Sequence, residues 1–413
     1  MGQAQAAGAV AILRRLLAYA EKLVGLTYFL QSLTDTRPRP RIATEVVASA
    51  VLYMFLSRVG SLNALEQTRA SRFWRRLHRP LPSADSLGRI AALIGPEAVR
   101  EGLGLVYSQL KANKALPPTA FGLMALALDG HESLSSYLRH CEGCCTRTVH
   151  TLAGPQIQYY HRQVTAVLLG REFPLLLDVE PQQPGEDEIA TALRLLERVL
   201  ERFPRAFDVV VGDGLYTDPR LYNYLIERGK DVLTVLKANH PSLLEDAKAL
   251  FASQPPTLRL SEPKQDLWDL SGFTTWPSVS RPVRVVQSLE TQTVHRQATG
   301  QDEQLHSTWV WVTTLSPARA SSEAVATLGH SRWRIENQAF HQLVHAWHFD
   351  HVYRHHASAI LIFELLGLLA FNLFQAFYYR NLKPVRRQSY LHIARQMQSE
   401  LYGELSPPQA QPP

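Results

Sequence analysis

The sequence predicts an α/β fold that follows a helical N-terminal segment, and three observations lead to this prediction. Of the 413 residues, 46% are hydrophobic and 19% are charged, which suits a buried core and excludes disordered and collagen-like chains. Residues 1–116 carry apolar side chains at the three- and four-residue spacing of helices. From residue 117, short apolar runs alternate with helical patterns in the order β-β-β-α-β-α-β.

The N-terminal segment is interpreted as three helices, at 7–30, 42–60 and 83–114, separated by proline-rich breaks. Residues 1–120 hold 16 basic and 7 acidic side chains, whereas the rest of the chain holds 27 and 30. Because this basic excess attracts polyanions, residues 1–116 are expected to form a DNA-binding domain.

An arginine cluster lies between the second and third of these helices. The stretch RASRFWRRLHRP places two aromatic residues among Arg69, Arg72, Arg75, Arg76 and Arg79. One interpretation is a solvated helix face that the two aromatics anchor. The other is a phosphate-binding surface, since clustered arginines displace the counterions of DNA, and the charge excess of the segment favours it.

Residues 117–251 and 315–380 are predicted to form the α/β core. Strands are expected at 123–128, 157–169, 173–179, 207–211 and 232–236, and helices at 187–203 and 219–228. Residues 252–314 predict a β-rich insertion with strands at 283–289 and 309–313. Residues 381–413 are expected to be a basic tail that ends in a loose, proline- and glutamine-rich stretch.

The longest apolar run, residues 359–379, is predicted to be a buried helix rather than a membrane span. It contains Glu364, Asn372 and Gln375, which are costly in lipid. The N-terminus lacks the charge order of a signal peptide, because its arginines follow the apolar stretch. With only three cysteines, all within five positions, the chain is expected in a reducing cytoplasm.

Two aspartates occupy matching positions in the predicted core. Asp129 follows the strand LAL and Asp213 follows VVG, and a glycine comes after each. A single Asp-Gly after a strand is usually a turn. Two strands of one sheet, however, would place both carboxylates at the same edge, where they repel each other unless a cation lies between them.

A helix near the end of the predicted core offers a third acid, Glu336. About 100° of rotation per residue directs Glu336 toward the apolar side of this helix, so it requires a partner. That apolar side comprises Trp333, Phe340, Val344 and Trp347. The partner is either Arg332, as an i,i+4 ion pair, or a metal ion, in which case Arg332 is available for a phosphate.

This order of elements and acids resembles the DDE transposases of bacterial insertion sequences, which have an RNase H-like catalytic core. It is most similar to the insertion-sequence four group, whose late motif is Tyr-x2-Arg-x3-Glu-x6-Lys. The resemblance covers about residues 120–380. It implies that Asp129, Asp213 and Glu336, spaced 84 and 123 positions apart, are the catalytic acids and that Arg332 is the motif arginine.

The resemblance also implies a reaction and its partners. The three acids would hold two Mg²⁺ or Mn²⁺ ions, and the enzyme would hydrolyse a phosphodiester and join the freed 3′-hydroxyl to target DNA. Double-stranded DNA with terminal inverted repeats would be the substrate, and a homodimer in the bacterial cytoplasm, associated with the nucleoid, would be the active assembly.

Two positions depart from the motif, because Gly329 stands where the group has Tyr and Leu343 where it has Lys. A catalytically impaired DNA-binding descendant is therefore an alternative. A zinc hydrolase centred on His131 and Glu132 is a weaker one, since the second histidine of H-E-x-x-H is missing.

Two further motifs have competing interpretations. A structural zinc site is predicted at Cys141, Cys144, Cys145 and His150, because Cys-x2-Cys is a common zinc knuckle, although the loop could equally pack its thiols. Trp276, in the β-rich insertion, is either a core anchor or, as the resemblance implies, an aromatic that stacks on a DNA base.

Overall fold

The structure, a computed structural model, describes residues 11–77, 80–119, 121–152, 154–262, 264–297, 300–335, 341–383 and 388–403. The chain forms two compact units. The first comprises Met1–Pro117, Gly130–Phe203 and Gln338–Pro413, and the second comprises Pro118–Asp129 and Pro204–Asn337. The fold is mixed α/β, as predicted, but these units divide the chain at other points than the domains expected from composition.

The helices and strands have the following bounds. The α-helices are α1 Ile12–Val24, α2 Leu26–Ser32, α3 Thr44–Leu56, α4 Leu62–Gln67, α5 Arg72–Arg76, α6 Ala84–Ala91, α7 Pro96–Ala112, α8 Glu188–Arg202, α9 Pro219–Glu227, α10 Pro241–Ala252, α11 Ser322–Ile335, α12 His341–Trp347, α13 Ala357–Ala376 and α14 Tyr390–Tyr402. The strands are β1 Ala125–Ser136, β2 Cys145–Thr151, β3 Gly154–Leu169, β4 Pro174–Pro181, β5 Val209–Gly212, β6 Asp231–Val235, β7 Leu258–Ser261, β8 Lys264–Phe273, β9 Val283–Arg296 and β10 Gln301–Thr313.

Helix α13 forms the centre of the first unit. It packs against α3, α7 and β4, and almost every side chain from Ala359 to Ala376 is buried. Asn372 hydrogen-bonds to the backbone N–H and C=O of Leu176 at 2.9 and 2.7 Å, which satisfies its amide without water. The segment Ala357–Asn381 is long and apolar enough to cross a membrane, but 83% of its most apolar window is buried. The predicted buried helix is confirmed.

In the first unit β3 pairs antiparallel with both β2 and β4. The predicted antiparallel pairing of runs 157–169 and 173–179 is thus confirmed. Strand β2 was not predicted, because its sequence CTRTVHT is largely exposed and shows no apolar alternation.

The second unit is built on a mixed sheet. Strands β1 and β5 are parallel, as are β5 and β6, with α9 as the crossover between the last two. The sheet continues antiparallel from β6 through β10, β9 and β8 to β7. Residues expected to form a separate insertion therefore extend this sheet. The hairpin β9–β10 is longer than predicted. Its outer half is polar and exposed, so the sequence shows no apolar pattern there.

The C-terminal segment contains a helix that was not predicted. Glu400, on α14, accepts hydrogen bonds from the backbone N–H of Leu13 and from Arg14 Nε, both at 2.9 Å. These bonds tie α14 to the first turn of α1, where free backbone N–H groups favour a carboxylate. The proline- and glutamine-rich stretch after residue 403 lies outside the described residues.

Candidate functional site

The two predicted aspartates lie at equivalent positions of neighbouring parallel strands. The pairing of β1 with β5 runs through Ala125–Val209 and Leu126–Val210 to Ala127–Val211, and these six side chains are at most 1% exposed. Asp129 and Asp213 each come two residues beyond the last pair. Since parallel strands are about 4.8 Å apart and side chains alternate with a period of two, both carboxylates belong to one face at one edge of the sheet.

Local contacts fix the backbone around Asp213. Its extended conformation, with φ −78° and ψ −173°, continues β5, and its Oδ1 accepts a hydrogen bond of 2.9 Å from the N–H of Leu215. A Cβ at Gly212 would lie 2.7 Å from the Cβ of Tyr216, so the turn requires glycine at that position. Asp213 is therefore presented from a rigid turn at the end of a buried strand.

Asp129 lies within β1, not at its end as predicted. The strand continues to Ser136, so Asp129-Gly130 is not a turn. A Cβ at position 130 would overlap the carboxyl group of Glu188, so a larger residue there would have to displace that side chain. Gly130 is thus packed closely against Glu188 within a strand.

Lys237 is a charged residue near Asp213 that the sequence did not single out. It follows β6, the strand next to β5, and is exposed. A Cβ on Gly214 would lie 2.8 Å from Lys237 Cδ, which shows how closely the lysine stem passes the turn after Asp213. Asn239 Nδ2 donates to Gly214 O at 3.0 Å and fixes the same turn. In the sequence, Lys237 directly follows the apolar run LTVL, and this position after a buried strand is the signal that could have identified it.

The third predicted acid, Glu336, lies outside the described residues. Helix α11 is described up to Ile335, and Arg332 is half-buried on it. The preceding turn packs on the second unit's sheet, where His330 Nε2 pairs with Glu290 Oε1 on β9 at 2.6 Å. Gly329 is buried against the indole of Trp311. A side chain as large as tyrosine would not fit at position 329 beside this indole.

The predicted arginine surface is exposed on α5 and beside it. Phe73 and Trp74 are buried, with the indole N–H of Trp74 donating to Thr68 Oγ1 at 2.8 Å. The exposed arginines of this surface are Arg69, Arg72, Arg75 and Arg76. Arg69 donates to Leu81 O at 3.0 Å and pairs with Glu66 at 3.1 Å. Arg79, the fifth predicted member, lies outside the described residues.

Trp276 is buried in the core of the second unit. Its side chain is 7% exposed, and its ring packs against Tyr222 and His240 with centroid distances of 4.9 and 4.5 Å. No face of this ring is available to a DNA base while the packing holds. Of the two interpretations of Trp276, the core anchor matches its position.

A cluster of cysteines and histidines lies in the first unit, with a membership that differs from the prediction. The Sγ atoms of Cys141 and Cys144 and the Nε2 atoms of His161 and His355 lie within 4.8 Å of one another. The other two predicted ligands are elsewhere. Cys145 directs its thiol to Gln182 O and Gln183 O at 3.7 Å, and His150 is exposed on β2.

Burial keeps the imidazoles of the cluster neutral. Desolvation, with a smaller contribution from His355, lowers the pKa of His161 to about 4, and desolvation also lowers the pKa of His355. Burial raises the pKa of the Cys141 thiol. Without a metal ion, both imidazoles and the Cys141 thiol are therefore uncharged near pH 7.

Comparison with known proteins gives one family. A family model described as "Transposase DDE domain" matches residues 147–373, which is more than half of the chain. The matched residues include Asp213, Arg332 and Glu336 and begin after Asp129. No curated protein matches the chain.

Proposed function

This chain belongs to the transposase DDE domain family, and from that membership we propose that it is a DNA transposase whose metal-binding acids are Asp129, Asp213 and Glu336. The enzyme class follows from the family, which comprises nucleases and transferases acting on DNA. The assignment of the three acids is part of this proposal. Asp213 and Glu336 lie within the family match, whereas Asp129 rests on its position beside Asp213.

The observation that carries this proposal is the register of β1 and β5. Two aspartates on one face of adjacent strands, which are about 4.8 Å apart, can supply oxygen ligands to the same ion. Hard divalent cations such as Mg²⁺ prefer carboxylate oxygens. The donor set thus fits the metal that the family implies.

Each residue of the site has a part in the proposed reaction. When bound, the divalent cations activate a water for attack on a phosphodiester and stabilise the leaving 3′-oxygen. Asp129 and Asp213 supply oxygen ligands from rigid strands, and Glu336 supplies a third. Lys237 and Arg332 provide positive charge for the phosphates of the strand being cut. The 3′-hydroxyl that hydrolysis releases then attacks a phosphodiester of target DNA, so no covalent enzyme intermediate forms.

We also propose an RNase H-like core of the insertion-sequence four type. The strand pairing within each unit supports it, because β3 and β4 are antiparallel neighbours in the first unit and the paired segments of β1, β5 and β6 are parallel neighbours in the second. The exposed arginines of α5 are proposed to bind phosphates of the transposon end. A homodimer that pairs two inverted-repeat ends is inferred from the family.

A second candidate function is DNA binding without strand transfer. Gly329 and Leu343, which replace the motif Tyr and Lys, are both buried, with Leu343 only 1% exposed. Neither position presents a side chain to a DNA strand. A descendant that has lost strand positioning would show this pattern.

Nicking of DNA in the presence of Mg²⁺ separates the two functions. The substrate is a supercoiled plasmid that carries the coding sequence with its flanking DNA, so that the element's own ends are included. A transposase nicks this plasmid with Mg²⁺ or Mn²⁺ but not with EDTA, and Asp129→Asn abolishes nicking while DNA binding in a gel-shift assay is retained. Binding with no nicking by the wild type under either metal would favour the second function.

A further inference from the structure

The cluster of Cys141, Cys144, His161 and His355 has the composition and spacing of a closed metal site. Cys144 Sγ lies 3.3 Å from the Nε2 atoms of both histidines, Cys141 Sγ lies 3.3 Å from His161 Nε2, and the two sulfurs are 3.9 Å apart. Zinc bonds of about 2.3 Å to sulfur and about 2.0–2.1 Å to nitrogen give a tetrahedron with edges of roughly 3.3–3.8 Å. The four donor atoms are therefore already placed as ligands of one ion.

Hydrogen bonding alone does not account for this arrangement. A thiol has one proton, yet Cys144 Sγ has two ring nitrogens and a second sulfur around it and also accepts the N–H of Cys141 at 3.2 Å. A backbone N–H that points at sulfur stabilises a thiolate, which is the form that binds metal. Cys144 Sγ therefore has more polar neighbours than one thiol proton can serve, whereas a metal ion at the centre of the cluster would bond to all four donor atoms at once.

The loop that carries the two cysteines forms a tight turn. The N–H of Cys144 donates to Cys141 O at 3.1 Å, closing the turn. Gly143 lies within this turn, and a Cβ there would be 2.8 Å from Ala357 Cβ. The turn brings both sulfurs to one side and lets the start of α13 approach closely.

We infer that these four residues bind one Zn²⁺ ion with a structural role. Thiolate and imidazole ligands select zinc over Mg²⁺, and four protein ligands leave no open position for substrate. The ion would join three parts of the first unit that are far apart in sequence: the loop between β1 and β2, strand β3, and the residue two positions before α13. This site shares no ligand with the proposed carboxylate site and stands whether or not the chain cuts DNA.

Metal analysis of the purified full-length chain tests this inference. The protein is produced without a histidine tag, and its metal content is measured by elemental analysis. We expect about one zinc per chain in the wild type and a loss of at least tenfold in Cys141→Ser and His355→Asn. Cys145→Ser and His150→Asn, which alter the neighbouring cysteine and histidine outside the cluster, serve as matched controls and should retain the metal.

A spectroscopic measurement on the wild type keeps the test valid if the ligand variants fail to fold. Replacement of the bound ion by Co²⁺ should give the visible absorption of a tetrahedral site together with a sulfur-to-cobalt charge-transfer band. Chelation should lower the melting temperature, and zinc should restore it. Absence of bound zinc in the wild type or an octahedral cobalt spectrum would overturn the inference.

Discussion

Asp129 and Asp213 are 84 positions apart in sequence and occupy equivalent positions on two hydrogen-bonded parallel strands. The paired segments before them, Ala125–Leu128 and Val209–Gly212, are apolar and buried, so neither aspartate can move away from the other without disrupting the core. Two carboxylates held on neighbouring strands can supply oxygen ligands to one divalent cation, and hard cations prefer such ligands.

The exposed arginines of α5 should contribute to DNA affinity. Replacement of Arg72, Arg75 and Arg76 by alanine is expected to weaken binding to any DNA sequence. If all three contact phosphates, the plot of the logarithm of the DNA association constant against the logarithm of the salt concentration should become less steep by roughly 3, since each phosphate contact contributes about 0.9 to the slope. The slope is measured by fluorescence anisotropy over a range of KCl concentrations.

A charge-matched variant provides the control for this experiment. Arg228, Arg259 and Arg296 are exposed arginines of the second unit, each paired with a neighbouring carboxylate. Their triple alanine variant changes the net charge equally and should leave the slope near the wild-type value. An equal reduction of the slope in both variants would mean that overall charge, and not the α5 surface, determines DNA binding.

Gly329 should not tolerate even alanine. A Cβ at this position would overlap the indole of Trp311, which is itself 1% exposed and has no room to move. In an open helix the same substitution stabilises by about 1 kcal/mol, but here overpacking should destabilise the protein by roughly 1–3 kcal/mol. Chemical denaturation measures the difference in the free energy of unfolding between Gly329→Ala and the wild type.

Gly104 is the matched control for this substitution. It also lies within a helix, α7, and the nearest atom to its added Cβ would be Arg202 Cδ at 4.0 Å. Gly104→Ala is expected to be neutral or stabilising by up to about 1 kcal/mol. A neutral Gly329→Ala would show that α11 can move away from β10 and would contradict a requirement for glycine beside Trp311.

Glu364 should make stability depend on pH. Burial raises its pKa to about 8, and no described residue hydrogen-bonds to its Oε2. Between the ordinary carboxyl pKa near 4.5 and about 8, the folded protein keeps a proton that the unfolded chain releases. The free energy of unfolding therefore falls as pH rises through this window, and the loss is complete above pH 8.

Glu364→Gln removes this dependence, because glutamine is neutral and of similar size. Relative to wild type, the variant should gain stability progressively from pH 5 to pH 8, by roughly 1–4 kcal/mol at the upper end. Glu201→Gln, which changes an exposed carboxylate of α8 in the same unit, should show no such gain. Denaturation midpoints at several pH values measure both, and parallel curves for Glu364→Gln and wild type would contradict the proposed burial cost.

Strands with continuous apolar runs were predictable from the sequence. The runs before Asp129 and Asp213 became β1 and β5, because buried parallel strands need apolar side chains on both faces. Polar strands such as β2 were missed, since an exposed strand leaves no apolar period. The continuation of β1 past Gly130 was missed because an Asp-Gly pair after a strand usually indicates a turn. Here Gly130 lies within the strand and packs closely against Glu188.

The metal-ligand cluster shows a different limit of sequence reasoning. Cys141 and Cys144 were identified from their spacing, which is local. His355 is 211 positions from Cys144, and only the packing of α13 against the strands of the first unit brings it close. Neighbours in sequence, Cys145 and His150, were the natural candidates, but on β2 the buried Cys145 directs its thiol to Gln182 O and Gln183 O and His150 is exposed.

The most direct test of the proposed function is DNA nicking by Asp213→Asn, compared with Asp218→Asn. Asp218 caps α9 five residues later, accepting the N–H of Arg220 at 2.8 Å, and asparagine can make the same bond. With Mg²⁺ and the plasmid that carries the flanking DNA, we predict that Asp213→Asn loses nicking by at least a hundredfold while its gel-shift affinity stays within twofold of wild type, and that Asp218→Asn nicks normally. Nicking by Asp213→Asn at the wild-type rate would contradict the assignment of this carboxylate to the catalytic metal site.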